Sequence, residues 1–74
     1  MKDNLIKIIT DLMIEEGLDM VQISNDSVLL DDLNLDSLML AVLTVKIKEE
    51  FGVDIFEHNF PKTFGDILNI LENV

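Results

Sequence analysis

The residue best placed for chemistry in this sequence is Ser37, set between Asp36 and Leu38 at the start of an apolar run. A serine that opens a helix lies beside the positive end of the helix dipole. A phosphate ester there is favoured electrostatically and is met by free backbone N–H groups. Position alone does not mark Ser37 as modified, because serine is common at helix starts for capping reasons. Service as a catalytic nucleophile needs a base and an oxyanion site. His58 is the sole histidine, and nothing in the sequence brings it to Ser37. Its ordinary reading is a surface or packing residue. Ser24 and Ser27 stand among turn-forming residues and are expected to make local turn hydrogen bonds.

The carboxylates offer two other chemistries. Asp32-Leu33-Asn34-Leu35-Asp36 places oxygen ligands at alternate positions, like the start of a calcium loop. Such a loop needs Gly at its sixth position and Glu at its twelfth. Ser37 and Leu43 stand there instead, so a dedicated calcium loop is rejected. Glu15-Glu16 and Glu49-Glu50 read as solvated helix faces. Paired carboxylates can do acid–base work, but a chain this short has little room for a substrate cleft. An independent enzyme is not expected.

Composition narrows the classes further. The chain has 74 residues, 15 acidic side chains against five basic ones, and a formal charge of −10. It contains no cysteine, which excludes a disulfide scaffold, a cysteine zinc site and a thiol nucleophile. So acidic a surface repels phosphate, so nucleic acid and anionic membranes are not expected partners. A hydrophobic share of 49% is too high for a disordered acidic tail. Met1-Lys2-Asp3-Asn4 lacks a signal pattern, and the apolar stretch from Leu38 to Val45 is far short of a membrane span. The expectation is a soluble, cytoplasmic protein, destabilised by its own charge and stabilised by salt.

Three helices must position these residues. Leu5, Ile8, Ile9 and Leu12 form an apolar stripe at helical spacing over 3–16, with Asp3 as its N-cap or first-turn acid and Gly17 where a helix ends. Residues 18–36 have no helical period. They mix turn formers with Val21, Ile23, Val28, Leu29, Leu30, Leu33 and Leu35, which predicts a long loop packed over the helices. A second helix is expected from Ser37 to Phe51. Asp36 caps it, Leu35 and Leu40 form a hydrophobic staple, and Gly52 ends it. A buried strand is the rival reading of the apolar run, and length with a charged second half favours helix. Residues 53–60 read as one helical turn before Pro61. A last helix runs from Thr63 to Glu72, capped by Thr63, with Asp66 in its first turn and Phe64, Ile67, Leu68 and Leu71 on its apolar face.

Asp36-Ser37-Leu38, opening an apolar helix after an acidic loop, resembles the attachment motif of acyl carrier proteins. The segment Leu29-Leu30-Asp31-Asp32-Leu33 resembles the stretch that precedes that motif. Lys48-Glu49-Glu50-Phe51-Gly52-Val53-Asp54-Ile55 resembles the family's helix end and following turn. Thr63-Phe64-Gly65-Asp66-Ile67 resembles the start of its last helix. The resemblance implies one all-α domain over residues 1–74. It would be a small four-helix bundle, with three main helices, one short helix and a long structured loop between the first two. It implies covalent 4′-phosphopantetheine on Ser37, with Asp36 and Leu38 completing the motif. A separate phosphopantetheinyl transferase would install the group from coenzyme A with magnesium. Acyl or aminoacyl cargo would ride on it as a thioester, presented to loading and processing enzymes at high effective concentration. The chain would catalyse nothing itself, would act as a monomer, and would take its working thiol from the cofactor.

Two departures from the family matter. Asn34 stands where relatives often have Gly, and Asn is the non-Gly residue that best tolerates a left-handed backbone. In carriers of bacterial fatty acid synthesis the second helix shows an acidic outer face to basic partners. Here Met39, Leu40 and Val42 replace much of that character, and Lys46 and Lys48 add positive charge. Leu38, Met39 and Val42 cannot all share the face of Leu40, Leu43 and Ile47. Either the helix is widely buried under the loop, or Met39, Val42 and Lys46 belong to a partner-docking patch. A docking patch leans toward a specialised peptide or polyketide pathway, with housekeeping fatty acid synthesis as the alternative. An unmodified acidic helical adaptor is the alternative of another class.

Overall fold

The computed structural model describes residues 1–57 and 61–73 and is all-helical, with no strand among the described residues. Helix α1 spans Lys2–Glu15, α2 Ser37–Phe51 and α3 Phe64–Glu72. The apolar run of α2 is helical, so the strand reading falls. Met1, rather than Asp3, is the N-cap of α1 and makes no side-chain cap bond; Asp3 lies in the first turn.

The helix ends follow from local chemistry. Gly17 N–H donates to Ile14 O at 3.1 Å and Leu18 N–H to Met13 O at 2.9 Å. This paired closure is a Schellman motif, with Gly17 at φ 71°. Gly52, at φ 73°, ends α2 and donates to Lys48 O at 2.8 Å. Thr63 Oγ1 accepts from Asp66 N–H, and an Asp66 carboxylate oxygen accepts in return from Thr63 N–H, both at 3.1 Å. That reciprocal capping box starts α3.

The core takes one face from each helix: Leu5, Ile9, Leu12 and Met13 of α1; Met39, Leu40, Leu43 and Ile47 of α2; Phe64, Ile67, Leu68 and Leu71 of α3. Leu29, Leu33 and Leu35 of the intervening segment join it, as does Ile55. Val21 and Leu30 of that segment stay exposed, so its apolar residues are only partly buried.

Antiparallel pairing ties this segment to the start of α3. Val28 bridges Thr63. Leu29 N–H donates to Lys62 O, Phe64 N–H to Ser27 O and Gly65 N–H to Asn25 O, each at 2.9 Å. Ser27 is buried, and its Oγ accepts from Ser24 N–H at 2.9 Å, the local turn bond expected of these serines. Within residues 53–57 the chain makes a turn: an Asp54 carboxylate oxygen accepts from Phe56 N–H at 3.0 Å, and Asp54 O from Glu57 N–H at 3.3 Å. The remainder of the expected short helix, His58 included, lies outside the described residues.

Candidate functional site

Ser37 is delivered by a tightly bonded turn. Asp32 folds back on Val28: its carboxylate accepts from Val28 N–H at 2.7 Å, while Asp32 N–H donates to Val28 O at 2.8 Å. Leu35 N–H then donates to Leu29 O at 3.1 Å. Between them Asn34 adopts φ 58°, the left-handed conformation that its side chain tolerates. Leu33 and Leu35 are buried on either side, which holds the reversal against the core.

Asp36 completes the delivery. Its backbone is extended, at φ −102° and ψ −178°, and its Oδ1 accepts from Met39 N–H at 2.8 Å. Asp32 and Asp36 therefore spend carboxylate oxygens on backbone donors, one closing a turn and the other capping a helix. Ser37 is the first residue of α2 and is exposed. Its Oγ makes no hydrogen bond among the described residues. The N–H groups of a first helical turn lack intrahelical carbonyls, so the hydroxyl faces a locally positive surface. This is an accessible, electrostatically primed oxygen on a rigid element, suited to carry a phosphate ester.

A groove of about 540 Å³ begins at Ser37, lined by Leu30, Leu40, Ala41, Thr44, Asp54 and Phe56. Its walls are mostly apolar. It runs along α2 to the 53–57 turn.

Residues 7–71 match the family model described as a phosphopantetheine attachment site. The chain belongs to that family. An acyl carrier protein of Thermotoga maritima is 38% identical over 58 residues, which cover 76% of this chain and 72% of the relative. No solved structure matches. The protein is thus a carrier rather than an enzyme, with 4′-phosphopantetheine as its covalent cofactor. Family membership decides between carrier and unmodified adaptor. The residues fit such a group: a free hydroxyl at a helix start, with an apolar groove beside it.

The structure redistributes the carrier's expected docking residues. Leu38 is 74% exposed beside Ser37, but Met39 is only 6% exposed and belongs to the core. The correction has a simple cause: at about 100° per residue Met39 turns some 200° from Ser37, onto the face of Leu43. Val42 is half-buried at the edge. Lys46, half a turn round from Ser37, lines a groove toward α1 with Ile8, Asp11 and Glu15. The exposed apolar residues of α2 are instead Leu38, Ala41 and Val45, the last 57% exposed. Their i, i+3, i+7 spacing was the signal that could have found them. No sequence signal marked Leu30 or Phe56 as neighbours of Ser37.

Proposed function

We propose that this carrier holds acyl or aminoacyl intermediates on 4′-phosphopantetheine attached to Ser37. The observation that carries the reading is the exposed, unengaged Ser37 Oγ at the capped start of α2. Ser37 Oγ forms a bond to the pantetheine-side phosphorus of coenzyme A. The diphosphate bridge breaks, the adenosine bisphosphate leaves, and the hydroxyl proton passes to the transferase or solvent. Asp36 holds the turn so that the oxygen stands clear of the helix. When bound, the arm supplies a thiol on which cargo rides as a thioester. We place the protein in the cytoplasm as a monomer.

The partner face in this proposal is the stripe Leu38, Ala41 and Val45, with Leu30 at its edge. Apolar surface beside a modification site favours partners with apolar docking surfaces over strongly basic ones. It supports a specialised pathway over housekeeping fatty acid synthesis. The test is intact mass after incubation with a broad-specificity phosphopantetheinyl transferase, coenzyme A and magnesium. The parent gains one phosphopantetheine. Ser37→Ala gains none and keeps its stability within about 0.5 kcal/mol, as expected for an exposed substitution. A folded parent that several transferases leave unmodified would overturn the assignment of Ser37.

A further inference from the structure

Asp32 stands in the acidic stretch before Ser37, and by position it resembles a surface charge awaiting a partner. Its side chain is already engaged. The carboxylate accepts from Val28 N–H at 2.7 Å, and Asp32 N–H donates to Val28 O at 2.8 Å. Its neighbour Asp31 is also exposed and carries the same charge, but the Asp31 side chain makes no hydrogen bond among the described residues. Val28 is a fixed point, because it bridges Thr63 and the adjoining Leu29 N–H donates to Lys62 O at 2.9 Å. Across residues 28–35 the Asp32 bond is the one side-chain hydrogen bond among the described residues. Asp36, next along, caps α2 rather than holding the turn. The rest of the turn is held by backbone bonds to Val28 O and Leu29 O and by the burial of Leu33 and Leu35. A bond to an ionised acceptor is stronger than a neutral one, so Asp32 firmly ties the turn that presents Ser37 to the paired segment.

We infer that Asp32 is a positioning residue for the modification of Ser37. It acts through Val28, fixing the turn that presents the hydroxyl, and not by offering its charge to the transferase. The inference rests on Ser37 being the attachment residue. A partly formed turn lowers the fraction of carrier ready to dock, and apparent affinity falls by that fraction. Once the carrier is docked the turn is formed again and the chemical step is unchanged. Loss of the tie therefore raises KM for the carrier and leaves kcat alone.

Steady-state kinetics with a phosphopantetheinyl transferase, coenzyme A and magnesium, at varied carrier concentration, test this. Asp32→Ala removes both bond and charge. Asp32→Asn removes the charge and keeps an oxygen that accepts from Val28 N–H. Asp31→Ala removes the adjacent charge and no bond. Ile9→Val trims the core of α1, which lowers stability without touching the turn. Asp32→Ala raises KM about two- to tenfold at parent kcat, the range of one hydrogen bond in water. The other three keep KM within about twofold of the parent, below the effect of one such bond. Hydrogen exchange of the Val28 amide, followed by NMR, quickens in Asp32→Ala and stays slow in Asp32→Asn. If circular dichroism shows the alanine variant unfolded, Asp32→Glu replaces it, keeping the charge while its extra methylene displaces the acceptor. A KM raised as much in Asp32→Asn or Asp31→Ala as in Asp32→Ala would overturn the inference in favour of a charge contact. The same rise in Ile9→Val would reduce the effect to stability. A parent-like KM or an unchanged Val28 exchange rate in Asp32→Ala refutes it outright. A parent that gains no mass counts instead against the Ser37 assignment.

Discussion

At the scale of single residues, Gly65 shows how one missing atom fixes the carrier's geometry. A Cβ built at Gly65 would stand 2.7 Å from Asn25 O, the same oxygen that accepts the Gly65 N–H bond. The obstacle is backbone, so no side chain can swing aside. Ala normally stabilises a helix relative to Gly by up to about 1 kcal/mol. Here the sign reverses: Gly65→Ala is expected to cost about 1–3 kcal/mol, typical of forcing atoms into packed space. Urea unfolding measures it, and a raised midpoint would refute the close approach. This contact was illegible in the sequence, because it joins residues 40 positions apart and leaves no local pattern. Asn34 was legible for the opposite reason. It stands where relatives often have Gly, and its own side chain tolerates the left-handed backbone.

At the scale of elements, caps made the helices readable. Asp36 and Gly52 bracket α2 at both ends, and Gly17 stops α1, Asp36 through its carboxylate and the two glycines through the positive φ they adopt. The orientation of α2 was harder, because apolar residues surround much of its first two turns and only tertiary packing decides which ones face inward. For that reason the sequence left Met39 between the core and a docking patch. The start of α3 carries a pH-dependent lock. Backbone N–H bonds from Lys62 and Thr63 hold the Asp66 carboxyl below its usual value of 3.8. A depressed pKa contributes stability above the unfolded value, and that contribution is lost as pH falls through the folded pKa. Solvent screens this exposed group, so its share is modest. Asp66→Asn should therefore lower Tm near neutrality, with the difference shrinking below about pH 4. Thermal melts in parallel from pH 7 to 3 decide it; a gap that widens toward acid would contradict the mechanism.

At the scale of the whole molecule, charge and connectivity dominate. A net charge of −10 on a body measuring 31 × 22 × 22 Å crowds like charges within a few tens of ångströms. The screening length falls from about 30 Å at 0.01 M salt to about 3 Å at 1 M. Raising sodium chloride over that range should raise Tm, by about 4–8 °C for each kcal/mol of repulsion relieved. A flat or falling Tm would show that the acids are already compensated. Composition made this legible from the start, whereas the path of the chain did not declare itself. The pairing of Val28 with Thr63 clasps two points that lie on either side of α2. Tension entering from the two ends of the chain crosses that clasp directly. While it holds, the span of chain bearing Ser37 hangs slack, sheltered from mechanical load on either end.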